Sequence, residues 1–541
     1  MNGITRRNFI AGTGASLVAG PIEARSGRAE PRARDDNDLS AKTSASRPNL
    51  VLFMPDELRA DALACYGNPL VKTPNFDLLA AQGTRFEQCH VAYPICGASR
   101  CSLLTGWPTS VRGHRSQQFF LRPEEPNLFR YLRQGGYDVF WFGKNDALAA
   151  ASFETSVTAW NYVGGKPIGV NEGGRRGAAL KTPDILPFLS GGNAGGDPRS
   201  NLDYLHLEAG IKILERAQAD KPFCIFLPLT SPHPPYNAPG EFGSMYSPSD
   251  ITGLLPAHLQ RRPDYMERMR SAYGMASATP DDLRRIRAAY LGKVSYADWL
   301  LGELMEALDR TNHTRDTALF VLSDHGDYAG DYGLVEKWPS GMEDCLTHVP
   351  QIARMPGGAK NHVVREQTEL FDVMATCLDL AGIQARHTHF ARSFVPQLRG
   401  SAGDAQRGSF TEGGYNTYEP QCFEIEPEKN ALYYPRLHLQ RAEPQTVSRC
   451  AAVKTGSYKF VSRPQGQSEL YLLKDDPLQK NNRFGEKGVQ TEQHEAEQRL
   501  LHWYVNTTGV SPRGADSRDF PPYIPLATFP SHPTEAQIVD E

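Results

Sequence analysis

Cysteine is scarce in this sequence and irregularly spaced. Nine cysteines are spread over 541 residues, too few for the disulfide scaffold of a small secreted domain. The odd count leaves at least one cysteine unpaired within a monomer. Cys89, His90, Cys96 and Cys101 lie close together, but their spacing matches no common zinc motif. We therefore expect neither a disulfide framework nor a zinc knuckle.

The sequence also lacks a long apolar run and a concentrated block of one charge. No run beyond the N-terminal segment is long and apolar enough to span a bilayer. The formal net charge is -4, with 58 Lys and Arg against 62 Asp and Glu, which offers no broad basic surface. We expect no nucleic-acid partner and no membrane span, so an anionic substrate must be bound at a local site.

What is present is an ordinary globular composition on a long chain. Hydrophobic residues make up 40% and charged residues 22% of the sequence, as in compact soluble folds. The length predicts two domains, or one large domain with an appendage. We place the main domain at 47–400 and a smaller C-terminal subdomain with an irregular tail at 401–541.

The N-terminal segment is typical of an exported protein. Thr5–Ile10 contains Arg6 and Arg7 and precedes a mildly apolar, small-residue stretch, which resembles a twin-arginine signal. The alternative is a frayed basic terminus. The following residues have few large apolar side chains and predict a disordered linker. We assign 1–46 to signal and linker, and expect a periplasmic or secreted protein.

Four short apolar segments predict buried strands that end at polar residues. They are Asn49–Met54, Tyr137–Phe142, Phe223–Leu229 and Ala318–Leu322, followed respectively by Asp56 and Glu57, Lys144, His233, and Asp324 and His325. Helix-like segments at Leu128–Gln134 and Leu291–Leu308 alternate with them. This predicts an α/β fold with a mostly parallel sheet and helices on both faces. Ligands bind outside the carboxyl ends of such strands, so we expect these side chains to share a site.

The sequence pattern changes after about residue 400, where short alternating segments are separated by turn residues. Ala451–Lys454, Tyr458–Ser462 and Glu469–Leu473 alternate in polarity between turn residues, which predicts a small antiparallel sheet. Glu492–Val505 predicts a helix, and the proline-rich end from Pro512 predicts irregular structure.

Residues 94–106 read Pro-Ile-Cys-Gly-Ala-Ser-Arg-Cys-Ser-Leu-Leu-Thr-Gly. This segment resembles the signature of the sulfatase family, in which Cys or Ser, then Pro or Ala two places on, and Arg four places on direct formylglycine formation. Cys96, Ala98 and Arg100 occupy these positions, with Ala98 where Pro is commoner. Thr73–Asp77, Gly83–Phe86 and Gly113–Arg115 are also similar to the family, and the resemblance spans Asn49–Val505.

The resemblance implies a formylglycine-dependent type I sulfatase of the alkaline phosphatase superfamily, with an alkaline-phosphatase-like fold. Such an enzyme hydrolyses the sulfate ester of a small molecule or glycan, and a formylglycine-generating enzyme is its partner during maturation. A hydrated aldehyde offers one hydroxyl for attack and a second that can later expel sulfate. The alternative for Cys96 is a buried small hydrophobic residue, which the surrounding signature disfavours.

The resemblance also implies a metal site. Its ligands would be Asp56, Glu57, Cys96 as formylglycine, Asp324 and His325. Carboxylate oxygens suit calcium, with magnesium or manganese as alternatives. Glu57 replaces an Asp common in relatives, and His325 stands where many carry Asn. Taken singly, these residues could be caps or turn residues at strand ends.

Lys144, His233 and Lys337 resemble the family's sulfate-contacting residues. The two lysines would neutralise charge on the sulfuryl oxygens, and His233 would either protonate the departing alcohol or polarise the bridging oxygen. Arg100 would orient formylglycine and the bound anion. Taken alone, a lysine is more often a solvated surface charge.

One position departs from the family pattern. Relatives commonly carry His two residues after the lysine, where this chain has Asp146. Either Asp146 is the base that deprotonates the hydrate, or Asn145 only binds the anion. His114 is predicted to be structural. The aromatic residues Tyr415, Tyr418, Tyr434 and Trp338 either line the mouth of the site or pack in the core.

Two other functions stay open. One is a phosphodiester or phosphonate monoester hydrolase of the same superfamily, which the missing His and the pair Asp324 and His325 both favour. The other, of a different class, is a non-catalytic protein that binds sulfated glycans, and the intact Cys96, Arg100 and metal-type residues disfavour it.

Overall fold

The computed structural model describes residues 47–163, 166–169, 188, 196–218, 220–429 and 431–510. All of these residues lie in one compact unit, 42–541. The predicted signal and linker at 1–46 and the predicted irregular tail from Pro512 lie outside the described residues. The predicted boundary at residue 400 stays a prediction.

A mixed sheet of eight strands forms the centre of the protein. Its strands, in chain order, are β1 (Asn49–Asp56), β2 (Thr84–His90), β3 (Asp138–Trp141), β4 (Ala159–Trp160), β7 (Phe223–Pro232), β8 (Thr317–Val321), β9 (His348–Arg354) and β10 (His362–Glu369), with β5 (Tyr162–Val163) and β6 (Lys166–Pro167) forming a separate ribbon. The order across the sheet is β10-β2-β9-β8-β1-β7-β3-β4. Only β9 runs antiparallel to its neighbours in this described sheet. The predicted mostly parallel sheet is confirmed.

Twelve α-helices surround the sheets in the described part of the chain. They are α1 (Pro74–Gln82), α2 (Cys96–Thr105), α3 (Leu128–Gln134), α4 (Phe153–Ser156), α5 (Leu202–Arg216), α6 (Tyr265–Ala272), α7 (Pro280–Arg310), α8 (Asp344–Thr347), α9 (Asp372–Ala381), α10 (Val395–Leu398), α11 (Tyr434–Ala442) and α12 (Gln490–Thr507). Helix α7 starts well before the predicted Leu291 because Thr279 and Asp282 form a capping box there. Among the described helices, none is both long and apolar enough to cross a membrane.

Both faces of the central sheet are covered, as the sequence predicted. Every residue of β1 is buried, and its side chains alternate between two cores. Val51 and Phe53 pack in the core that includes α5 and α7. Leu50 and Leu52 pack in the core that includes α3 and α9. This double burial explains why β1 has a continuous apolar sequence.

A second sheet follows in the C-terminal part of the chain. Its antiparallel strands are β11 (Ser409–Gly413), β12 (Cys450–Lys454), β13 (Tyr458–Ser462) and β14 (Glu469–Leu472), in that order. Three of them match the predicted segments, and β11 was not predicted. Helix α12 packs Ala496 and Leu500 against this sheet, which confirms the predicted helix in this region.

Two strands run further than the sequence predicted. β1 was expected to end at Met54, but it continues to Asp56, and β7 continues from Leu229 to Pro232. The pairing shifts between Pro55 and Asp56, so that Asp56 lies opposite Pro232. A bulge of this kind tolerates proline and re-aims the next side chain. The bulge therefore carries Asp56 to the edge of the sheet.

Gly143, just before Lys144, allows the close contact between the end of β3 and β7 to be tested. Its φ is 140°, and a Cβ there would lie 2.2 Å from the Pro228 carbonyl oxygen. We expect Gly143→Ala to lower the free energy of unfolding by ~3 kcal/mol, because the β3–β7 contact must open. In Gly67→Ala, at a φ of 97° with open space around it, only backbone strain of ~1 kcal/mol is expected. Urea unfolding measures both, and equal losses would contradict the role of the contact.

Candidate active site

Side chains that follow four parallel strands meet at one edge of the central sheet. β1 pairs with β7 and β8, and β7 pairs with β3, all in parallel. Their carboxyl ends carry Asp56, Lys144, His233 and Asp324. Lys144 Nζ lies 2.6 Å from Asp56 Oδ2, and the His233 N–H donates to the Asp56 carbonyl at 3.1 Å. The strand ends therefore bring together charged and polar groups that are far apart in sequence.

Cys96 is the first residue of α2 and is completely buried. Its Sγ lies 3.1 Å from His325 Nε2, 3.5 Å from Asp56 Oδ1 and 3.6 Å from Lys144 Nζ. Burial and the Asp56 carboxylate raise the pKa of the Cys96 thiol well above its ordinary value. The unmodified side chain is therefore a protonated thiol, which is a weak nucleophile.

Arg100 joins two buried carboxylates. Its Nε donates to Asp324 Oδ2 at 2.8 Å, and its Nη2 lies 3.1 Å from Asp56 Oδ2. Burial alone would raise the pKa of both carboxyl groups. Arg100 nevertheless holds the pKa of Asp324 below its usual range, and Lys144 and Arg100 together do the same for Asp56. Both carboxylates are therefore ionised and partly neutralised.

Asp324 and His325 are oriented by backbone groups. Asp324 Oδ1 accepts from the N–H of Glu57 at 3.2 Å and from that of His325 at 3.1 Å. His325 Nδ1 lies 2.8 Å from the Gly326 carbonyl oxygen and must donate to it. Burial lowers the pKa of His325, so its Nε2 presents a lone pair towards Cys96. A neutral imidazole held in this way is suited to bind a metal ion.

Lys337 is the centre of a second group of contacts. Its Nζ contacts Glu57 Oε1, lies 3.0 Å from Glu336 Oε1 and lies 3.2 Å from His233 Nε2. His233 Nδ1 lies 2.6 Å from the Pro234 carbonyl oxygen and donates to it. Burial and the Lys337 charge lower the pKa of His233 well below its ordinary value. Neutral His233 therefore accepts a hydrogen bond from the Lys337 ammonium.

Glu57 has an unusual backbone for a non-glycine residue. Its φ is 65°, and its carbonyl accepts from the Tyr290 hydroxyl at 2.7 Å. Such strain is characteristic of functional sites and persists only where neighbours fix the backbone. The Glu57 Oε2 atom is buried with no hydrogen-bond partner among the described residues. This oxygen is therefore available to a ligand.

The donor atoms fit a divalent cation. One atom each from Asp56, Glu57, Cys96 and His325 lies within 4.8 Å of all the others. Asp324 Oδ2 is 4.0 Å from His325 Nε2. Ionised carboxylates, the partnerless Glu57 oxygen and a neutral imidazole are together a cation-binding set.

The segment after Lys144 lies at the partly open side of the site. The side chains of Lys144 and Asp146 are 13% and 9% exposed, whereas those of Asp56 and Asp324 are fully buried. Lys144 Nζ lies 2.9 Å from Asp146 Oδ2. The Asn145 amide instead bonds the backbone of its own loop, at 2.8 Å from the Leu148 carbonyl. Asp146, rather than Asn145, is therefore the side chain placed against Lys144.

His114 lies in a structural network, in agreement with its predicted role. Its Nδ1 is 2.7 Å from the Phe119 carbonyl, and its Nε2 is 3.0 Å from Glu125 Oε1. Burial opposes its charge, but Glu125 raises the pKa of His114.

The aromatic candidates are placed differently from one another. Trp338 is fully buried, stacks on Tyr265 and donates to the Thr446 carbonyl. Tyr415 is also fully buried, whereas Tyr418 is 88% exposed. Tyr434 stacks on His438. Trp338 and Tyr415 therefore pack in the core, and the mouth-lining role does not apply to them.

Sequence reasoning missed several buried residues beside the site. The Tyr433 hydroxyl lies 3.5 Å from His233 Nδ1, and Lys293 donates to the His233 carbonyl. Arg436 forms an ion pair with Glu336. Lys293 interrupts the apolar face of α7, a signal that could have been found. Tyr433 and Arg436 come from a distant part of the chain, where no local pattern indicated them.

Comparison with known proteins gives a consistent result. Residues 48–383 match the family model Sulfatase. The chain is 24% identical to the choline-sulfatase of Rhizobium meliloti, over 91% of this chain and 94% of that protein. It is 27% identical to an arylsulfatase of Clostridium perfringens, over 62% and 75% respectively. The crystal structure of a phosphonate monoester hydrolase of Agrobacterium radiobacter is similar in fold, with a TM-score of 0.67 and 22% identity over 85% of this chain and 96% of that one.

The chain therefore belongs to the sulfatase family, within the alkaline phosphatase superfamily. The matched segment covers more than half of the chain, from β1 to just beyond α9. It includes every candidate residue described above from Asp56 to Lys337. By class, the protein is a sulfuric ester hydrolase.

Proposed function

We propose that the protein hydrolyses a sulfate ester to an alcohol and sulfate, using formylglycine made from Cys96. The observation that carries this proposal is the environment of Cys96, whose Sγ lies 3.1 Å from His325 Nε2 and 3.5 Å from Asp56 Oδ1. A buried thiol of raised pKa has no evident task there. An oxygen nucleophile at the same position would lie among cation-binding groups and beside Lys144.

The modified residue supplies the covalent chemistry. As a hydrated aldehyde, it offers one hydroxyl oxygen that bonds to sulfur while the bond between sulfur and the alcohol oxygen breaks, and a second hydroxyl whose deprotonation releases sulfate and restores the aldehyde. Water then adds to the aldehyde and regenerates the hydrate. The aldehyde would be made once, during maturation, when a formylglycine-generating enzyme oxidises Cys96 with an external oxidant and the C–S bond is replaced by a C=O bond as the sulfur leaves.

The chain's own cations orient the sulfate group. Lys144 is 13% exposed and is anchored by Asp56 at 2.6 Å, so its ammonium can face both the nucleophile and a sulfuryl oxygen. Arg100 is held by Asp324 and Asp56 and adds fixed positive charge behind residue 96. Preorganised charges of this kind stabilise the negative charge that develops in the transition state.

Lys337 and His233 act on the departing alcohol. Because the His233 Nδ1 proton is held by Pro234 and its Nε2 accepts from Lys337 at 3.2 Å, the mobile proton of the pair is on Lys337. The pair therefore delivers a proton to the leaving oxygen through the Lys337 ammonium. This differs from the sequence-based expectation, in which His233 itself protonates the alcohol or polarises the bridging oxygen.

Asp146 takes the place of the histidine that relatives carry. Its carboxylate lies 2.9 Å from Lys144 Nζ on the open side of the site. We assign it as the base that receives the proton of the second hydroxyl when sulfate leaves.

The metal site completes the proposal. Calcium, with magnesium or manganese as alternatives, would be held by Asp56, Glu57, Asp324, His325 and residue 96, and would supply Lewis-acid stabilisation of the sulfuryl oxygens. The substrate is a sulfated small molecule or glycan. Twin-arginine export would place the enzyme in the periplasm or outside the cell.

A second candidate is hydrolysis of a phosphonate monoester or phosphodiester. The observations that favour it are the carboxylate of Asp146 in place of an imidazole and the His325 side chain directed at Cys96.

Aldehyde formation at residue 96 can be measured directly. Peptide mass analysis of protein from its native host should show an aldehyde at residue 96 and an unmodified thiol at Cys101, which is the internal control. Cys96→Ala should lower kcat by about 10⁴-fold or more, because the nucleophile is lost. An unmodified Cys96 together with no turnover would instead support the sulfated-glycan-binding alternative.

Paired substrates separate the two hydrolase candidates. We expect kcat/KM for 4-nitrophenyl sulfate to exceed that for 4-nitrophenyl phenylphosphonate, and Asp146→Asn to lower kcat for the sulfate by about 10²-fold because its base is lost. Steady-state rates at matched metal concentration measure this. A large preference for the phosphonate would end the sulfate-ester assignment.

A further inference from the structure

Two buried carboxylates compete for the ammonium of Lys337. Glu57 Oε1 contacts Lys337 Nζ on one side, and Glu336 Oε1 lies 3.0 Å away on the other. The Lys337 ammonium also donates to His233 Nε2 at 3.2 Å. All four side chains are almost completely buried, so the charge balance among them is not screened by water. The position of Lys337 therefore depends on how strongly each carboxylate attracts it.

Arg436, from α11, neutralises one of these carboxylates. Its Nη1 binds Glu336 Oε1, the same oxygen that faces Lys337, and its Nη2 lies 2.6 Å from Glu424 Oε2. The Tyr273 hydroxyl donates to the other oxygen of Glu336 at 3.3 Å. A guanidinium that bridges two carboxylates fixes both in geometry as well as in charge.

Resting on the proposed function, we propose that Arg436 is a positioning residue for departure of the alcohol. By sharing Glu336 Oε1, it weakens the attraction of Glu336 for Lys337 and leaves the ammonium on Glu57 and His233. Without Arg436, the unshared Glu336 carboxylate draws Lys337 away from His233. Arg436 lies beyond residue 383, where the match to the family model ends.

The inference predicts a specific kinetic signature. A displaced Lys337 protonates the leaving oxygen poorly. The rate of hydrolysis therefore falls more for a substrate with a poor leaving group than for one with a good leaving group. For Arg436→Met, we expect kcat/KM for phenyl sulfate to fall about ten-fold further than kcat/KM for 4-nitrophenyl sulfate. Arg436→Lys retains a cation beside Glu336 and should recover most of this difference.

Two further variants make the test independent of folding. Arg441 lies on the same helix and binds the Glu424 and Phe423 carbonyls. In the described part of the chain it forms no hydrogen bond or ion pair with Glu336, so Arg441→Met is the matched control and should lower both rates equally or not at all. The double variant Arg436→Met with Glu336→Gln removes the competing charge. It should return the ratio of the two kcat/KM values, for phenyl sulfate and 4-nitrophenyl sulfate, towards the wild-type ratio.

The outcomes separate this inference from the proposed function. If Arg436→Met is folded and lowers both rates by the same factor, the positioning role is overturned. If Arg436→Met does not fold, the double variant and Arg436→Lys carry the test. The positioning role is overturned if either of them is folded and its kcat/KM for phenyl sulfate still falls about ten-fold further than that for 4-nitrophenyl sulfate. If the wild-type enzyme hydrolyses neither aryl sulfates nor aryl phosphonates, the proposed function fails first and removes this inference with it.

Discussion

The site depends on the ion pairs that Arg100 forms with Asp56 and Asp324. The guanidinium is 1% exposed and both carboxylates are fully buried. Buried charges are tolerated only when they are paired, and removing one partner of such a pair costs about 3–5 kcal/mol. Arg100 also donates to the Lys144 carbonyl at 3.3 Å. One side chain on α2 therefore ties together the ends of β1, β3 and β8.

This arrangement follows from the sheet that carries it. Parallel strands place their carboxyl ends at one edge, and the two cores keep β1 rigid between its neighbours. The negative charge of Asp56 and Asp324 lies where a cation would be bound, and the partnerless Glu57 oxygen lies beside it. The same enclosure leaves access beside Lys144 and Asp146, which are the more exposed of the charged groups. Fold stability and cation binding are thus linked through the same carboxylates.

The sequence predicted those parts of the fold that depend on local patterns of apolar and polar residues. Continuous apolar segments such as Asn49–Met54 identified the strands buried on both faces, and the polar residues after them identified the edge where the site lies. The extension of β1 to Asp56 was not predictable, because it depends on a bulge against β7. The antiparallel direction of β9 also has no local signal.

Long-range partners were the least predictable part of the site. Arg436 and Glu336 are 100 residues apart in the chain, and an arginine on an amphipathic helix is ordinarily read as a solvated charge. Trp338 illustrates the same limit, since the sequence left open whether it lines the mouth of the site or packs in the core, and its ring is fully buried. Burial and three-dimensional pairing decide these roles, and neither is visible in a local motif.

We propose that one divalent cation lies between Asp56, Glu57, Asp324, His325 and residue 96. A crystal structure of the matured enzyme, grown with Mn²⁺ and measured at the manganese absorption edge, tests it most directly. We expect a single strong anomalous peak within about 2.6 Å of carboxylate oxygens of Asp56 and Asp324. A peak elsewhere, or no peak at this edge of the sheet at saturating metal, would contradict it.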